Sequence, residues 1–419
     1  MSGRKRVGII ATRLSGTDGV SLETTKWVRI LAELGYVCYF FTAESQWPKE
    51  KTYLVPEVHF NHPDIQAINR DLFDNFKRSD EVSSTIHRLA RHIKHHLVQF
   101  NRQFKPDILI AENCLSLPMN VPLGLALTEF IIETGIVTIA HHHDFSWERT
   151  RFARSGADDL LRAAFPPTAR QIRHVVINSY AQNQLALRTG ASSKLIPNVM
   201  DFENPPDIQD KFASDLRTRL GIKDETYLLL QPTRIVPRKR IELAIEFTRR
   251  LELPCALIIS HKSGDEENTY EEYLREYSRL LGVEVFFASN IFAIQRSLTS
   301  DGGKIYSLAD AYQNADLVTY PSVIEGFGNA FLEAIYYQRP LVMNMYEIFY
   351  TDIEPKGFDV IVFQDFIDGK CIHRARQILL DPHQAREMTD HNYRIAQKYY
   401  SYSMLKDQLS ALMHECFGM

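Results

Sequence analysis

Short apolar strands alternate with amphipathic helices from the start of the chain, and this alternation restricts the fold more than any other feature. Residues 6–11 (RVGIIA) predict a buried strand, a glycine-containing turn follows, and residues 22–34 place their apolar side chains on one stripe of a helix. Residues 36–42 (YVCYFFT) predict a second strand. A strand, a helix and a strand in this order make a βαβ unit, which implies a parallel sheet with helices on both faces.

The alternation continues and then restarts after a polar, proline-containing linker at residues 203–210. An amphipathic helix with a basic second face is predicted at 86–104, and residues 374–419 have a helical pattern without a strand. We therefore predict an α/β protein with two Rossmann-like domains, residues 1–202 and 203–397, whose last helix, 398–419, packs back on the first. The other strand candidates are residues 107–111, 136–140, 174–178, 194–196, 227–231, 256–260, 283–288, 316–320 and 341–344.

Length and charge narrow the class of protein. The 419 residues suffice for two domains, and 48 basic against 52 acidic side chains give no general attraction for nucleic acid. Five scattered cysteines without a CxxC pair favour a reducing compartment, so we expect a cytoplasmic protein. The apolar run near the start is too short for a secretory signal, and the apolar stretch from Val121 contains Glu129 and Glu133.

Two common nucleotide-binding patterns are absent. The first βα turn, ATRLSGTDGVS, is not GxGxxG, and the chain has no GxxxxGK[ST] sequence. A nicotinamide-dependent dehydrogenase or a P-loop enzyme is therefore disfavoured.

The segment TYPSVIEGFGNAFLEA, residues 319–334, carries the strongest local signal. A strand ends before a turn that contains Glu325, Gly326, Phe327 and Gly328, and a helix follows. Small residues let the backbone approach a ligand, and a helix N-terminus favours an anion such as phosphate. Glu333 would lie about one turn inside that helix. The alternative is an ordinary glycine turn with two solvated glutamates.

A second segment, QPTRIVPRKRIELAI from Gln231, places cations after a strand. Arg234 and Lys239, flanked by Arg238 and Arg240, follow the strand's carboxyl end, where ligands of open α/β sheets bind. An Arg fork and a Lys point charge suit a diphosphate. A basic helix start opposes the helix dipole unless an anion compensates, which favours a binding role.

A run of three histidines, His141 to His143, precedes Asp144 at the end of a predicted strand. Successive side chains of a strand point to opposite faces, so all three rings cannot face one metal ion. His92 and His96 in the helix at 86–104 lack the glutamate of HExxH. The sequence thus predicts no metal site.

Taken in order, these segments resemble retaining glycosyltransferase family 4, whose members have the GT-B fold. The resemblance covers essentially the whole chain. Residues 344–359 (NMYEIFYTDIEPKGFD) and Asn329 depart from the common pattern, which indicates a specialised subgroup. The matching positions are Gly16, Gly19, Val20 and Ser21 in the first turn, His143 and Asp144, Pro197, Asn198 and Asp201, Arg234 and Lys239, and Glu325 to Gly328 with Glu333.

The resemblance implies two Rossmann-like domains facing across a cleft, the first for an acceptor and the second for a nucleotide-sugar donor. It implies that Arg234 and Lys239 bind the donor diphosphate, that Glu325 lies by the transferred sugar, and that Glu333 holds the ribose. Gly19 would approach phosphate, and His143 would approach the sugar, with His142 in reserve. Backbone around Gly326, Phe327, Gly328 and Asn329 would meet the donor, and Val20, His142 and Asp144 the acceptor.

We accordingly expect a hexosyl transfer from a UDP- or GDP-linked sugar to a hydroxyl of a small soluble or glycan acceptor, without a metal cofactor. Alternatives are a lipid acceptor reached by peripheral membrane contact through the basic face of the helix at 86–104, a sugar-nucleotide epimerase, and a non-catalytic partner of a transferase. A homodimer stays an open expectation.

Overall fold

A computed structural model describes residues 5–16, 18–206, 211–262, 268–293 and 295–418. The chain divides into two units, Met1–Asn198 with Ser403–Met419 and Val199–Tyr402. Residues 207–210 of the predicted linker lie outside the described residues.

The first unit is a parallel sheet covered by helices. Its strands follow the order β3-β2-β1-β4-β5-β6-β7, and neighbouring strands pair in parallel. In chain order its elements are β1 (Arg6–Ile10), α1 (Gly19–Glu33), β2 (Val37–Thr42), β3 (Thr52–Leu54), α2 (Pro63–Leu72), α3 (Asp80–Phe104), β4 (Ile108–Glu112), α4 (Val121–Thr134), β5 (Thr138–His142), α5 (Asp158–Ala164), β6 (Ile172–Val176), α6 (Ser179–Thr189) and β7 (Ser193–Leu195).

The second unit repeats the same plan. Its larger sheet has the order β10-β9-β8-β14-β15-β16, and a small sheet has the order β11-β13-β12. Its elements are α7 (Leu216–Leu220), β8 (Tyr227–Gln231), α8 (Ile241–Arg250), β9 (Cys255–Ile259), α9 (Asn268–Leu281), β10 (Glu284–Phe287), β11 (Phe292–Ala293), β12 (Ser297–Leu298), β13 (Lys304–Ser307), α10 (Leu308–Asn314), β14 (Leu317–Tyr320), α11 (Asn329–Tyr336), β15 (Leu341–Asn344), β16 (Ile361–Phe363), α12 (Gly369–Leu380) and α13 (Pro382–Tyr399).

The last helix, α14 (Tyr402–Phe417), returns to the first unit. Lys406 pairs with Glu33 at 3.2 Å, Glu415 lies 3.5 Å from Arg173, and the Lys5 ammonium lies 3.5 Å above the Phe417 ring.

Helix caps and apolar stripes explain the longer helices. Asp18 caps α1 by accepting a hydrogen bond from the Ser21 N–H at 3.1 Å, and Ser79 caps α3 in the same way. The stripe of α3 is buried at every third or fourth position from Ile86 to Phe104 and packs mainly on α4. The predicted fold class, two Rossmann-like parallel-sheet domains with a helical C-terminal tail, is confirmed.

The predicted strands did not include β3, β16 or the small sheet of β11 to β13. β3 and β16 have three residues each and lie at sheet edges, so they carry little hydrophobic periodicity. Within the described ranges, no helix combines the length and the apolar character needed to cross a membrane.

Each large sheet has a topological switch point, where the strand order reverses. In the first unit the chain leaves β1 toward β2 and β3 and returns to pair β4 with the other side of β1. In the second unit the same reversal occurs between β8 and β14. Ligands of open α/β sheets bind outside the carboxyl ends of the strands at this point.

Candidate functional site

The switch point of the second unit gathers the predicted cations. Arg234 is exposed and follows β8, and Lys239 ends a short 3₁₀ turn with its side chain buried. The Lys239 ammonium donates to the carboxylate of Glu325, which follows β14, and lies 5.3 Å from the centre of the Tyr320 ring. Arg238 is 3.8 Å from the same carboxylate. Three cations and one carboxylate therefore lie together beyond the carboxyl ends of β8 and β14.

Burial and neighbouring charges shift the pKa values here. Burial lowers the pKa of Lys239, and the Glu325 carboxylate offsets only part of that effect. Burial alone would raise the pKa of Glu325, but the charges of Lys239 and Arg238 outweigh it and lower the pKa. Burial and the nearby Arg234 and Lys239 lower the pKa of His261 to about 4, so His261 is neutral at pH 7. An anionic ligand would find an uncompensated positive charge.

The loop after Glu325 presents its backbone to the same edge. Gly326 is exposed, the Phe327 ring packs edge-on against Tyr400 at 5.3 Å, and Gly328 has a φ of 110°. That φ lies in a region that side chains other than glycine rarely adopt. Gly328 caps α11, which begins at Asn329.

Glu333 lies one turn inside α11, as the sequence predicted. Its Oε2 accepts a hydrogen bond from the Tyr312 hydroxyl at 2.8 Å, and the Tyr312 ring stacks on Tyr337 at 5.0 Å. The structure thus brings Arg234, Lys239, Glu325 and the Gly326–Asn329 backbone together, while Glu333 is held by a buried tyrosine.

In the first unit, the predicted turn residues lie at the start of α1. Gly19 is the first residue of the helix and is exposed, and Val20 is half-buried. The preceding Asp18 accepts from Ser21 and pairs with Arg13 at 2.8 Å. The helix N-terminus at Gly19 follows β1, at the switch point of this sheet.

The three histidines divide between the two faces of the sheet. His141 stacks on Trp27 with 4.1 Å between ring centres, and His143 lies beside it at 4.4 Å. His142 points the other way, where its Nε2 lies 2.9 Å from Nδ1 of His174. The structure does not bring His142 to His143, because adjacent strand residues face opposite sides.

Glu112, the last residue of β4, joins the two histidines on the shared face. Its Oε2 lies 2.9 Å from Nδ1 of His141 and 3.4 Å from Nε2 of His143. Burial would raise the pKa of Glu112, but the two imidazoles lower it to about 2. Burial would likewise lower the pKa of His143, but the Glu112 carboxylate outweighs it and raises the pKa. A buried carboxylate therefore favours the charged form of His143.

Asn113 holds the backbone next to this cluster. Its φ is 56°, and its Oδ1 accepts from the N–H of His143 at 3.0 Å and of Asp144 at 3.3 Å. Its own N–H donates to the His141 carbonyl at 2.8 Å. The Asp144 carboxylate pairs with Arg149. Glu112 and Asn113 together fix both the ring and the main chain of His143.

Glu112, His141 and His143 also form the one group, in the part of the chain that the structure describes, that could together hold a metal ion. Their ligand-type atoms lie within 4.8 Å of one another. In the observed arrangement, Oε2 of Glu112 already serves as the acceptor for His141, and His141 is fully covered by its stacking on Trp27. Oε1 of Glu112, Nε2 of His141 and Nε2 of His143 are buried without a hydrogen-bond partner among the described residues, so the cluster is only partly hydrogen-bonded.

Sequence reasoning missed Glu112, Asn113 and His261. Glu112 and His261 directly follow the predicted strands at residues 107–111 and 256–260, and Asn113 comes one residue after Glu112. The available signal was a polar residue at the carboxyl end of a strand. That signal does not predict which residues meet, because Glu112 comes to lie beside His141 only through the pairing of β4 with β5.

Two synthases are similar to this chain over most of its length. The chain is 31% identical to mannosylglucosylglycerate synthase of Thermotoga maritima over 442 aligned positions, covering 97% of this chain and 99% of that protein. It is 32% identical to mannosylglucosylglycerate synthase of Petrotoga mobilis over 376 positions, covering 85% and 86%. No protein-family model matches the chain.

Solved structures agree on the fold. Sucrose-phosphate synthase of Thermosynechococcus elongatus superposes with a TM-score of 0.67 at 15% identity, covering 99% of this chain and 100% of that one. Anabaena HepE, solved in complex with UDP-glucose, gives 0.65 at 14% identity, covering 98% and 99%. The lipopolysaccharide glycosyltransferase WaaG gives 0.61 at 15% identity, covering 96% and 98%. Relatives at this distance support the GT-B fold class, and the two synthases show that the chain is homologous to glycosyltransferases.

Proposed function

Because the chain belongs to the family of the mannosylglucosylglycerate synthases, we propose that it is a retaining glycosyltransferase of family 4 that acts on a small acceptor. The name of the two relatives favours transfer of a mannosyl unit to glucosylglycerate. We propose a UDP- or GDP-linked sugar as the donor. The proposed enzyme works in the cytoplasm.

One observation carries the proposal: the cations at the switch point of the second sheet. Arg234 and Lys239 follow β8, Glu325 follows β14, and Arg234 is an exposed guanidinium. A nucleoside diphosphate is the ligand whose charge this edge would neutralise. Lys239 already contacts Glu325, so a bound diphosphate would give it a second anionic neighbour.

The proposed chemistry uses these charges directly. As the bond between the anomeric carbon and the phosphate oxygen breaks, the departing diphosphate gains negative charge, which Arg234 and Lys239 stabilise. The acceptor hydroxyl forms the new bond on the same face of the sugar, and its proton passes to the departing phosphate oxygen. This route needs no metal ion, since the two cations supply the electrostatic stabilisation.

The remaining residues take positioning roles in the proposal. Glu325 and the backbone of Gly326, Phe327, Gly328 and Asn329 contact the sugar, and Glu333 contacts the ribose. Gly19 approaches phosphate and His143 the sugar. Val20 and Asp144 contribute to the acceptor side, whereas the burial of His142 against His174 makes its direct contact with an acceptor the weakest of these assignments.

A lipid acceptor has less support in the structure. Of the basic face of α3, Arg88 and Arg91 are exposed, but Lys94 pairs with Glu129 at 2.9 Å and with Glu133 at 2.7 Å. A cation neutralised by two carboxylates contributes little attraction for an anionic membrane surface. A small acceptor is therefore the proposal.

A thermal-shift screen with GDP, UDP, ADP and their sugars tests the donor assignment. A ligand that binds only the folded chain raises its melting temperature in proportion to the logarithm of its concentration above the dissociation constant. We expect stabilisation by one nucleoside diphosphate and its mannosyl derivative, followed by formation of a mannosylated product from glucosylglycerate with retained anomeric configuration. Stabilisation by none of these nucleotides would contradict the proposal. Donor turnover without any acceptor would favour an epimerase.

A further inference from the structure

The distinctive segment at residues 344–359 contains a buried tyrosine that reaches the donor loop. Tyr346 follows β15 and is 2% exposed. Its hydroxyl donates a 2.8 Å hydrogen bond to the main-chain carbonyl of Phe327. The segment that departs from the family pattern thus contacts the backbone of the family's most specific motif.

This hydrogen bond determines which way a peptide group faces. The peptide bond between Phe327 and Gly328 is trans, so its carbonyl and its N–H point in opposite directions. With the Phe327 carbonyl turned toward Tyr346, the Gly328 N–H is turned away from it. Among the described residues this N–H has no acceptor. Gly328 is buried, and its N–H is left with a hydrogen bond to donate.

Gly328 and Tyr346 fit each other closely. A Cβ atom at position 328 would lie 2.3 Å from the Tyr346 hydroxyl oxygen and 3.4 Å from that of Tyr320. The φ of 110° independently disfavours any other residue. Only a glycine allows the tyrosine to approach the loop this closely.

Neighbouring contacts hold Tyr346 in place. Its ring meets Tyr320 edge-on with 6.0 Å between ring centres, and its N–H donates to the Asn344 carbonyl at 3.0 Å. Asn344 in turn donates to the Ser322 carbonyl at 3.3 Å, which ties β15 to the residues that follow β14. These contacts therefore fix the position of the Tyr346 hydroxyl.

We propose that Tyr346 is a positioning residue that turns the Phe327–Gly328 peptide so that the Gly328 N–H donates to an oxygen of the nucleotide-sugar donor. The proposal rests on the proposed function, because it assumes that the donor binds at this loop. It assigns a role to a segment that the family resemblance leaves unexplained.

The test is Tyr346→Phe, which removes only the hydroxyl. The matched control is Tyr306→Phe, since Tyr306 is also fully buried in the second unit and its hydroxyl donates to Asp215 at 3.0 Å. Both variants lose one hydrogen bond and should lose similar thermal stability. We expect only Tyr346→Phe to weaken the binding of GDP or UDP–sugar, by about tenfold in Kd and donor KM, with a smaller change in kcat.

Hydrogen exchange of the peptide that contains residues 325–329 gives a second measurement. We expect faster exchange in Tyr346→Phe than in Tyr306→Phe, because the loop loses its anchor. Donor KM and Kd within twofold of the wild-type values would overturn the inference, whatever the loss of stability. If the wild-type protein binds no nucleotide, the proposed function fails first, so the two failures can be told apart.

Discussion

The two switch points have the same topology but opposite electrostatic character. In the first unit, Glu112 is buried between His141 and His143 at the end of β4, and its charge is compensated within the cluster. In the second unit, Lys239 and Arg238 share the single carboxylate of Glu325, and Arg234 remains exposed. The same reversal of strand order thus places a carboxylate between two histidines in one unit and an excess of positive charge in the other.

This difference indicates how the two edges divide the work in the proposed reaction. An excess of cations can bind an anionic ligand and stabilise negative charge that develops on it. In the first unit the buried Glu112 carboxylate instead favours the charged form of the His143 ring, because it raises the pKa of that histidine. Substitutions in each unit separate these two roles.

Replacing Lys239 should have the largest effect on turnover. We expect Lys239→Met to reduce kcat by about a hundredfold to a thousandfold, because one fixed charge that stabilises the departing diphosphate is lost. Transferred mannose is the quantity to measure. Lys304→Met is the matched control, since Lys304 pairs with Asp215 in the same unit, and it should retain wild-type turnover.

A double variant separates catalysis from stability. Lys239→Met leaves the Glu325 carboxylate without its main partner, and breaking a buried pair costs about 3–5 kcal/mol of unfolding free energy. Adding Glu325→Gln should recover much of that stability, measured by denaturant unfolding, but none of the turnover. Wild-type turnover in the double variant would refute the roles of both residues.

Neutralising Glu112 should change the pH dependence of turnover through His143. The titratable groups that face His143 are Glu112, His141, Glu23 and Asp144. Because Glu112 raises the pKa of His143, the imidazolium is present below that pKa and is lost as the pH rises through it. Glu112→Gln lowers this pKa, so we expect the alkaline limb of kcat/KM to move to lower pH. We also expect turnover at pH 7 to fall about tenfold to a hundredfold.

Asp310→Asn is the control for Glu112→Gln. Asp310 is a fully buried carboxylate that pairs with Arg296 in the second unit. Its replacement should lower stability without moving the pH profile. An NMR titration of the His143 ring checks the cause, and an unchanged ring pKa in Glu112→Gln would contradict it.

Glu333 should show a smaller effect that falls on binding. A ribose contact acts equally in the ground state and the transition state, so we expect Glu333→Ala to raise the donor KM about tenfold with little change in kcat. Glu246→Ala is a suitable control, because Glu246 pairs with Arg250 on α8. Unchanged donor affinity in Glu333→Ala would contradict the ribose contact and leave Glu333 a structural role through its hydrogen bond with Tyr312.

Much of this comparison could be predicted from the sequence, and the rest depends on long-range pairing. Central strands such as β4 and β8 are continuous apolar runs, so their existence and the cations that follow β8 were evident. Alternation along a strand also implies that His141 and His143 share a face. That Glu112 lies opposite them follows only from the pairing of β4 with β5, which no local pattern encodes. The Tyr346 contact with Phe327 is likewise a meeting of two loops.

The smallest expected effect is that of metal removal. In the proposed mechanism Arg234 and Lys239 supply the charge that a metal would supply at the diphosphate, so we expect EDTA to leave turnover unchanged. Elemental analysis of the purified chain and of Glu112→Gln tests the buried cluster in parallel, since its ligand-type atoms lie within 4.8 Å of one another. A complete loss of turnover in EDTA that Mg²⁺ or Mn²⁺ restores would contradict the metal-free mechanism. A stoichiometric metal in the wild-type protein that is absent from Glu112→Gln would instead show that Glu112 belongs to a metal centre. The first unit would then carry a metal ion where the second unit carries Lys and Arg side chains.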